Sequence, residues 1–370
     1  MTSPETAPPD PSLKKRFLNW RTLVSLLVAI ALVVVAVWRF GIDPAQVWQY
    51  MRQANPWLYL LAFISFYATF PLRAWRWRLL LENASAGNPE APAIPRLPDL
   101  TEIIFLSWFA NCAVPAKLGD LYRGYLLNRT SGASFMHTVG TIFAERVLDM
   151  LFLFLLMVAA SLAVFGPRIP SGSTANMVYG IGIALVALIV AVLLGMRFFG
   201  PALRRLVPAR FRGLYDRFLE GTLLSFRWQT LPLLLGQTLV IWLLESLRFY
   251  LVLLSLPQRI SLGLPVIVFI ALSSSLLTTL PITPAGLGAV EAMFVWILPL
   301  FLPAGTADPR NLAGAVAMLD RGINFWSILF LGFIAFLLSK KAVGLIEPLS
   351  RFGQTVHRLV RSWLGKRPVQ

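Results

Sequence analysis

Apolar runs long enough to cross a bilayer recur along this 370-residue chain, and several carry acids and arginines in their middles. About 20 apolar residues span a hydrocarbon core. Backbone at that depth has no water to bond, and runs of this length satisfy themselves as helices. Only 14% of the residues are charged and the mean hydropathy is +0.70, whereas soluble domains carry about 25% charged residues. The expectation is an all-α protein with one integral membrane domain over residues 1–370, seated in the cell membrane and crossing it several times.

The formal charge of +16 raises the question of nucleic acid. Basic cytoplasmic loops of a membrane protein give the same number. No basic segment here belongs to a foldable soluble module, so no nucleic-acid partner is expected. Cys112 is the lone cysteine, and His137 and His357 are far apart. No metal, haem or other cofactor is therefore expected.

Residues 1–13 are Pro-rich and polar, the composition of a disordered N-terminus. Lys14, Lys15, Arg16 and Arg21 precede an apolar run, Thr22 to Trp38. No small-residue cleavage site follows it, so it reads as an uncleaved first helix. A second run, Trp57 to Phe70, continues into Arg73, Trp75, Arg76, Trp77 and Arg78. This cluster reads most simply as an interfacial anchor, with Arg73 and Arg76 also candidates for gripping a lipid phosphate. Residues 82–100 form a Pro-containing loop. Further spans are expected at 133–165, 177–194, 231–256 and 312–338. Between them lies a basic cytoplasmic loop, 197–228, that holds an amphipathic surface helix, and residues 339–370 form a basic tail.

Two apolar stretches are broken in the middle. Ile103 to Ala113 stops at Val114-Pro115, and the chain resumes at Leu118. Leu264 to Leu280 stops at Pro281-Ile282-Thr283-Pro284 and resumes at Gly288. The breakers are copies of one motif, Pro115-Ala116-Lys117-Leu118-Gly119 and Pro284-Ala285-Gly286-Leu287-Gly288. Half-length segments around a breaker predict two re-entrant hairpins, tolerated at membrane depth when buried in protein or lining a cavity. Their tips are Pro115, Gly119, Thr283, Pro284, Gly286 and Gly288. Further on, each copy is followed by an acid-Arg pair inside an apolar helix: Glu145-Arg146 with Asp149, and Asp320-Arg321 with Asn324.

Orientation follows from Lys and Arg. With both hairpins returning to the side they left, the N-terminus, the 72–100 loop, the 197–228 loop and the tail share one face. They hold 4, 4, 7 and 7 basic residues, 22 together, against five on the other face. The positive-inside rule puts the 22-residue face, and both termini, in the cytoplasm. The reading is six spans plus two hairpins; eight spans fit the same parity. Residues 57–165 and 231–338 then become two copies of one unit in opposite orientations, an inverted repeat whose site belongs near the midplane.

A helix N-terminus suits phosphate, and Thr283 can cap the second half-helix. Lys117 in a first helical turn is disfavoured by the dipole unless an anion sits there; with Arg123 it is a candidate phosphate clamp. The alternative is that Lys117 faces water or pairs with Asp120. Charges as deep as Arg146 and Arg321 face a cavity or a partner. Glu145 and Asp149, four apart, share a helix face. Glu245 and Arg248 in the second unit loosely correspond to Arg73 and Arg76. Candidate substrate-binding residues are thus Lys117, Arg123, Arg146, Arg321, Arg73, Arg76 and Arg248. Candidates for charge balance or coupling are Asp120, Glu145, Asp149, Glu291, Asp320 and Asn324. Glu291 either titrates or only satisfies the half-helix start.

These motifs resemble the transmembrane region of lysylphosphatidylglycerol synthases, a flippase-like family. The likeness rests on Arg-x-x-Arg-Trp at 73–77, Pro-x-Lys-x-Gly-Asp-x-x-Arg at 115–123 and Glu-Arg-x-x-Asp at 145–149. It extends to Pro-x-Thr-Pro-x-Gly-x-Gly-x-x-Glu at 281–291 and Asp-Arg-x-x-Asn at 320–324. The resemblance implies a flippase-like membrane fold and movement of a lipid between leaflets. Bifunctional members carry a soluble aminoacyltransferase domain after the membrane part; this chain ends at Gln370, so synthase activity is expected to be absent. Where the family often has Glu, this chain has Asp120, which keeps the charge.

The function expected is a lipid flippase, not an enzyme. Its partner would be a membrane lipid with a phosphate headgroup, a phospholipid or a polyprenyl-phosphate lipid, passing through a polar cavity between the hairpins. No Gly-Lys-Ser/Thr nucleotide loop is present, so the driving force would be a gradient or a downhill scramble. The alternative is an enzyme, or a scaffold for one, in lipid-linked sugar or aminoacyl-lipid metabolism.

Overall fold

The computed structural model describes residues 41–342 apart from 114–117, 166–190, 192–193, 197, 199, 201, 259, 261, 280–283 and 304. Every regular element among the described residues is helical. The expected first helix at 22–38 and the basic tail beyond 342 lie outside them, as does nearly all of the span at 177–194.

A short helix unannounced by any apolar run comes first. Helix α1 (Pro44–Arg52) starts where the Asp43 carboxylate accepts the Ala45 N–H at 2.9 Å and Pro44 presets the backbone. Helix α2 (Pro56–Ser85) begins the same way, with Asn55 accepting from Trp57 and Leu58. It runs through Pro71 and the whole Trp/Arg cluster. After the loop come two half-length helices, α3 (Leu97–Ala113) and α4 (Leu118–Ser131), then the long α5 (Phe135–Phe165).

The basic segment contains α6 (Arg212–Leu223), and it is not merely a surface helix. A Cβ on Gly221 would stand 2.1 Å from the His137 carbonyl oxygen, and one on Gly140 would stand 2.3 Å from that of Phe218. Glycines at that crossing let α6 press backbone to backbone against α5.

Helix α7 (Leu231–Ser255) opens the second unit, followed by α8 (Leu264–Thr279) and α9 (Ala289–Ile297), again half-length. The last apolar stretch is α10 (Pro309–Arg321), a π-turn at Gly322–Trp326, and α11 (Ser327–Leu338). Among the described residues four helices are long and apolar enough to cross a membrane: α2, α5, α7 and the continuous stretch Pro309–Leu338. They expose Leu155, Leu243, Phe330 and Leu338 outward, as lipid-facing surfaces do.

Helices α2 and α7 lie antiparallel along their whole length. Asn55 N–H meets the Ser255 carbonyl, Ser65 the Leu244 carbonyl, Arg76 the Thr238 hydroxyl, and Asn83 the Thr230 hydroxyl. The half-helices cross over between units. Helix α3 packs on α11, where Phe109 fills the place left by the missing side chain of Gly332, and α8 packs on α5. The first half-helix of each unit thus lies against the last span of the other.

Candidate functional site

The Trp/Arg cluster of α2 divides by face. Trp75 is exposed and Arg78 half-exposed, where it meets Glu82. Arg73 and Arg76 are 4% and 0% exposed. The interfacial-anchor reading therefore fails for these two arginines, which point into the bundle. Two of the 22 basic residues counted toward the cytoplasmic face are thus interior. Alternation of apolar and charged residues along a helix, not charge alone, decides which face a residue takes.

A buried arginine is tolerated only when paired and hydrogen-bonded, and each interior arginine here has a carboxylate. Arg76 donates to Asp149 at 2.7 Å and to Glu145 at 3.0 Å. Arg123 meets Glu145 at 2.7 Å and lies over the Trp77 ring at 3.7 Å. Arg146 grips Asp120 through two bonds of 3.0 and 3.1 Å. Arg73 donates to Glu245 at 3.0 Å and so joins the two units. Glu245 also accepts from Arg248, which donates in turn to Asp320. Arg321 donates to Glu291 at 2.7 Å and to the Gly286 carbonyl at 3.0 Å. Among the described residues these contacts join six arginines and six carboxylates in three groups, each balanced in charge: Arg76, Arg123 and Arg146 with Glu145, Asp149 and Asp120; Arg73 and Arg248 with Glu245 and Asp320; and Arg321 with Glu291.

The contacts form one pattern used twice. In each unit an arginine of the opening helix, Arg76 or Arg248, binds the acid of the acid-Arg pair, Glu145 or Asp320. The arginine of that pair, Arg146 or Arg321, binds a carboxylate in the first turn of the second half-helix, Asp120 or Glu291. Asp149 and Asn324 hold equivalent places; Asn324 donates to Asp320 at 2.7 Å. The π-turn that carries Asn324 leaves room at Gly322 for the Tyr59 hydroxyl, which donates to the Leu319 carbonyl. Such turns within α-helices concentrate at functional positions.

The tips are close-packed. The Gly119 N–H donates to Asn111 at 2.9 Å, and the Gly119 carbonyl accepts from Ser107 at 2.8 Å. At the other tip Ala285, Gly286 and Gly288 have φ of 47°, 70° and 87°, a region that favours glycine. Helix α9 is capped by Glu291, whose carboxylate accepts the Gly288 N–H at 2.6 Å. Its N-cap position is Gly288; the expected cap from Thr283 is corrected, because the helix starts after the glycine-rich turn. Pro115, Lys117 and Thr283 themselves lie outside the described residues.

Between the units is a cavity of ≈ 120 Å³. Arg73, Arg146, Arg248 and Arg321 reach it, together with Asp120, Asp149, Glu245 and Asn324. Arg76, Glu291 and Asp320, not part of the cavity lining, bond the lining Asp149, Arg321 and Arg248, and Glu145 with Arg123 extends the contacts from Arg76. The wall also includes the aromatic rings of Trp108, Trp242 and Phe66 and the polar side chains of Asn111, Ser274 and Thr278.

Over residues 24–332 the sequence matches the family described as the lysylphosphatidylglycerol synthase TM region. The chain belongs to that family. It is 34% identical over 253 residues to UPF0104 membrane protein MJ1078 of Methanocaldococcus jannaschii, covering 65% of this chain and 97% of that protein. A UPF0104 membrane protein of Methanothermobacter thermautotrophicus is 25% identical over 333 residues, 84% of this chain and 94% of the relative. Glycosyltransferase AglD of Haloferax volcanii is 25% identical over 352 residues; the match takes in 85% of this chain but 54% of AglD.

In this member of the lysylphosphatidylglycerol synthase TM-region family, the uncharged part of the cavity escaped the sequence reading. Asn111 follows Trp108 by three positions and Thr278 follows Ser274 by four, spacings that share a helix face. That signal was available in α3 and α8 but is faint beside the charges.

Proposed function

We propose that this protein moves a phosphate-bearing lipid between the leaflets of the cell membrane. The observation that carries the reading is the cavity, built from helices of both units, with four arginines on its wall and each held by a carboxylate. Arginines so fixed offer planar donor arrays to phosphate oxygens without reorganisation. The headgroup passes through this cavity while the tails stay in lipid. In this reading the two units form an inverted repeat with re-entrant hairpins at 97–131 and 264–301, and both termini are cytoplasmic. The antiparallel course of α2 and α7 and the exchange of half-helices between units support the inversion. Alternating access is then a rocking of one unit against the other, about the Arg73–Glu245 contact.

The test is a leaflet assay on purified protein in liposomes, with fluorescent phosphatidylglycerol and with a polyprenyl phosphate. The wild type moves at least one of them, and Arg146→Ala slows it tenfold or more. A wild type that moves neither lipid sinks the proposal. The second reading, an enzyme of lipid-linked sugar metabolism, is favoured by the relative named a glycosyltransferase. It predicts a donor-dependent covalent change of the lipid in the same vesicles, whereas a flippase leaves the lipid chemically intact.

A further inference from the structure

Three polar atoms at the cavity are buried and unpartnered: Arg73 Nε, Trp242 Nε1 and Asn324 Oδ1. Arg73 and Trp242 are 4% and 6% exposed, so water does not readily serve them from outside. A buried polar group without a partner costs about 1–3 kcal/mol, and three of them around one cavity point to a ligand that completes them.

Their chemistry is mixed. Arg73 and Trp242 offer N–H donors. Asn324 offers an acceptor, and its amide orientation is fixed: its nitrogen donates to the Asp320 carboxylate at 2.7 Å, which leaves the carbonyl oxygen for the ligand. Phosphate oxygens answer the two donors but only accept, so an ionised phosphate cannot answer Asn324. A hydroxyl can. An ammonium group could also donate there, but it would bring a charge to a wall whose carboxylates are already held by arginines. Four guanidiniums on the same wall repel an added cation and tolerate an anionic phosphate. The cavity further sets aromatic surface from Trp108, Trp242 and Phe66 beside Asn111, Ser274 and Thr278. Apolar faces with a few convergent hydrogen-bonding groups suit a ring that bears hydroxyls on its edge and C–H groups on its faces.

We infer that the headgroup received in this cavity is a sugar joined to the lipid phosphate. The sugar hydroxyls donate to Asn324 Oδ1 and accept from Trp242 Nε1–H, and Arg73 Nε–H serves the phosphate oxygen next to the sugar. This rests on the transport reading above and narrows its substrate class from phosphate lipids in general to glycosylated ones.

The test compares polyprenyl phosphate with polyprenyl-phosphate hexose, each titrated onto the purified protein in detergent and read by native mass spectrometry. Both lipids are also followed in the leaflet assay. The hexosyl lipid binds about tenfold more tightly, roughly the value of one good hydrogen bond to a buried group. Trp242→Phe keeps the ring and deletes the N–H, and Asn324→Ala deletes the acceptor; each brings the ratio of the two affinities toward unity. The ratio corrects for any general loss of folded protein. If the wild type binds and moves both lipids equally, the sugar assignment is overturned while transport stands. If the preference exists but survives both variants, the assignment to these residues is overturned. If neither lipid binds or moves while phosphatidylglycerol moves, the sugar assignment is overturned and transport stands; if phosphatidylglycerol is not moved either, the transport reading falls with it.

Discussion

The two units use one set of contacts, yet water reaches them unequally. Arg146 and Asp120 are 28% and 21% exposed, while Arg321 and Glu291, their counterparts, are 1% and 12% exposed. Arg321 also holds the Gly286 carbonyl, a bond whose equivalent in the first unit would fall at Lys117, outside the described residues. The second unit is therefore the sealed side of the site and the first is its open side. The same pairing has two settings: in the interior it locks the tip of a half-helix to the last span, and at the rim it leaves an arginine partly open to water.

The sharpest way to break this contrast is to remove each arginine. Arg321→Ala strands the largely buried Glu291, and about 3 kcal/mol of stability is lost; Arg146→Ala, more solvated, loses roughly 1 kcal/mol. Thermal unfolding in detergent measures both, and equal losses would erase the distinction between a sealed and an open side. Next in size are the tips. A Cβ on Gly119 would lie 2.1 Å from the Ser107 carbonyl oxygen, so Gly119→Ala costs about 1–3 kcal/mol by forcing α3 and α4 apart. Gly288→Ala costs a similar 1–3 kcal/mol, but through backbone strain at φ 87°. Hydrogen exchange separates the causes: the first variant loosens both half-helices, the second only the start of α9.

A third change makes the units alike. Asn324→Asp gives the second unit the first unit's acid, but next to Asp320 it replaces a hydrogen bond with a like charge. The expected cost is about 1–3 kcal/mol, read from the urea midpoint of the detergent-solubilised protein; no change would mean that the two positions are interchangeable. The smallest effect is peripheral. Lys341 donates to Asp99 at 2.7 Å and ties the end of α11 to the start of α3. That bond holds the Asp99 carboxyl below its usual range. A depressed folded-state value stabilises above the unfolded one, near pH ~4, and the gain is lost as pH falls through the folded value. Asp99→Asn therefore costs less than about 1 kcal/mol at pH 7, and melting curves of variant and wild type converge below pH 4.

Sequence reading reached the elements whose causes are local. The broken stretches at 103–127 and 264–302 emerge as half-length helices because Pro and Gly act on their own backbone. The doubled acid-Arg motif was visible because charges in an apolar run are conspicuous. Partner choice was not legible. Nothing local tells Arg73 to cross to Glu245, 172 positions away, and the Trp/Arg cluster looked like a membrane-surface feature until α2 continued past Pro71. Helix α1 was missed because its signal is only Asp43-Pro44, without an apolar stripe of spanning length. The π-turn at Gly322–Trp326 was missed because it arises from the fit of Tyr59 against Gly322, a contact between distant segments.

The equality of arginines and carboxylates in the interior network bears on electrical behaviour. A charge carried across the membrane field exchanges about 2.3 kcal/mol per 100 mV. Each of the three balanced groups among the described residues carries none when it shifts as a unit, so the membrane potential exerts no net pull on it.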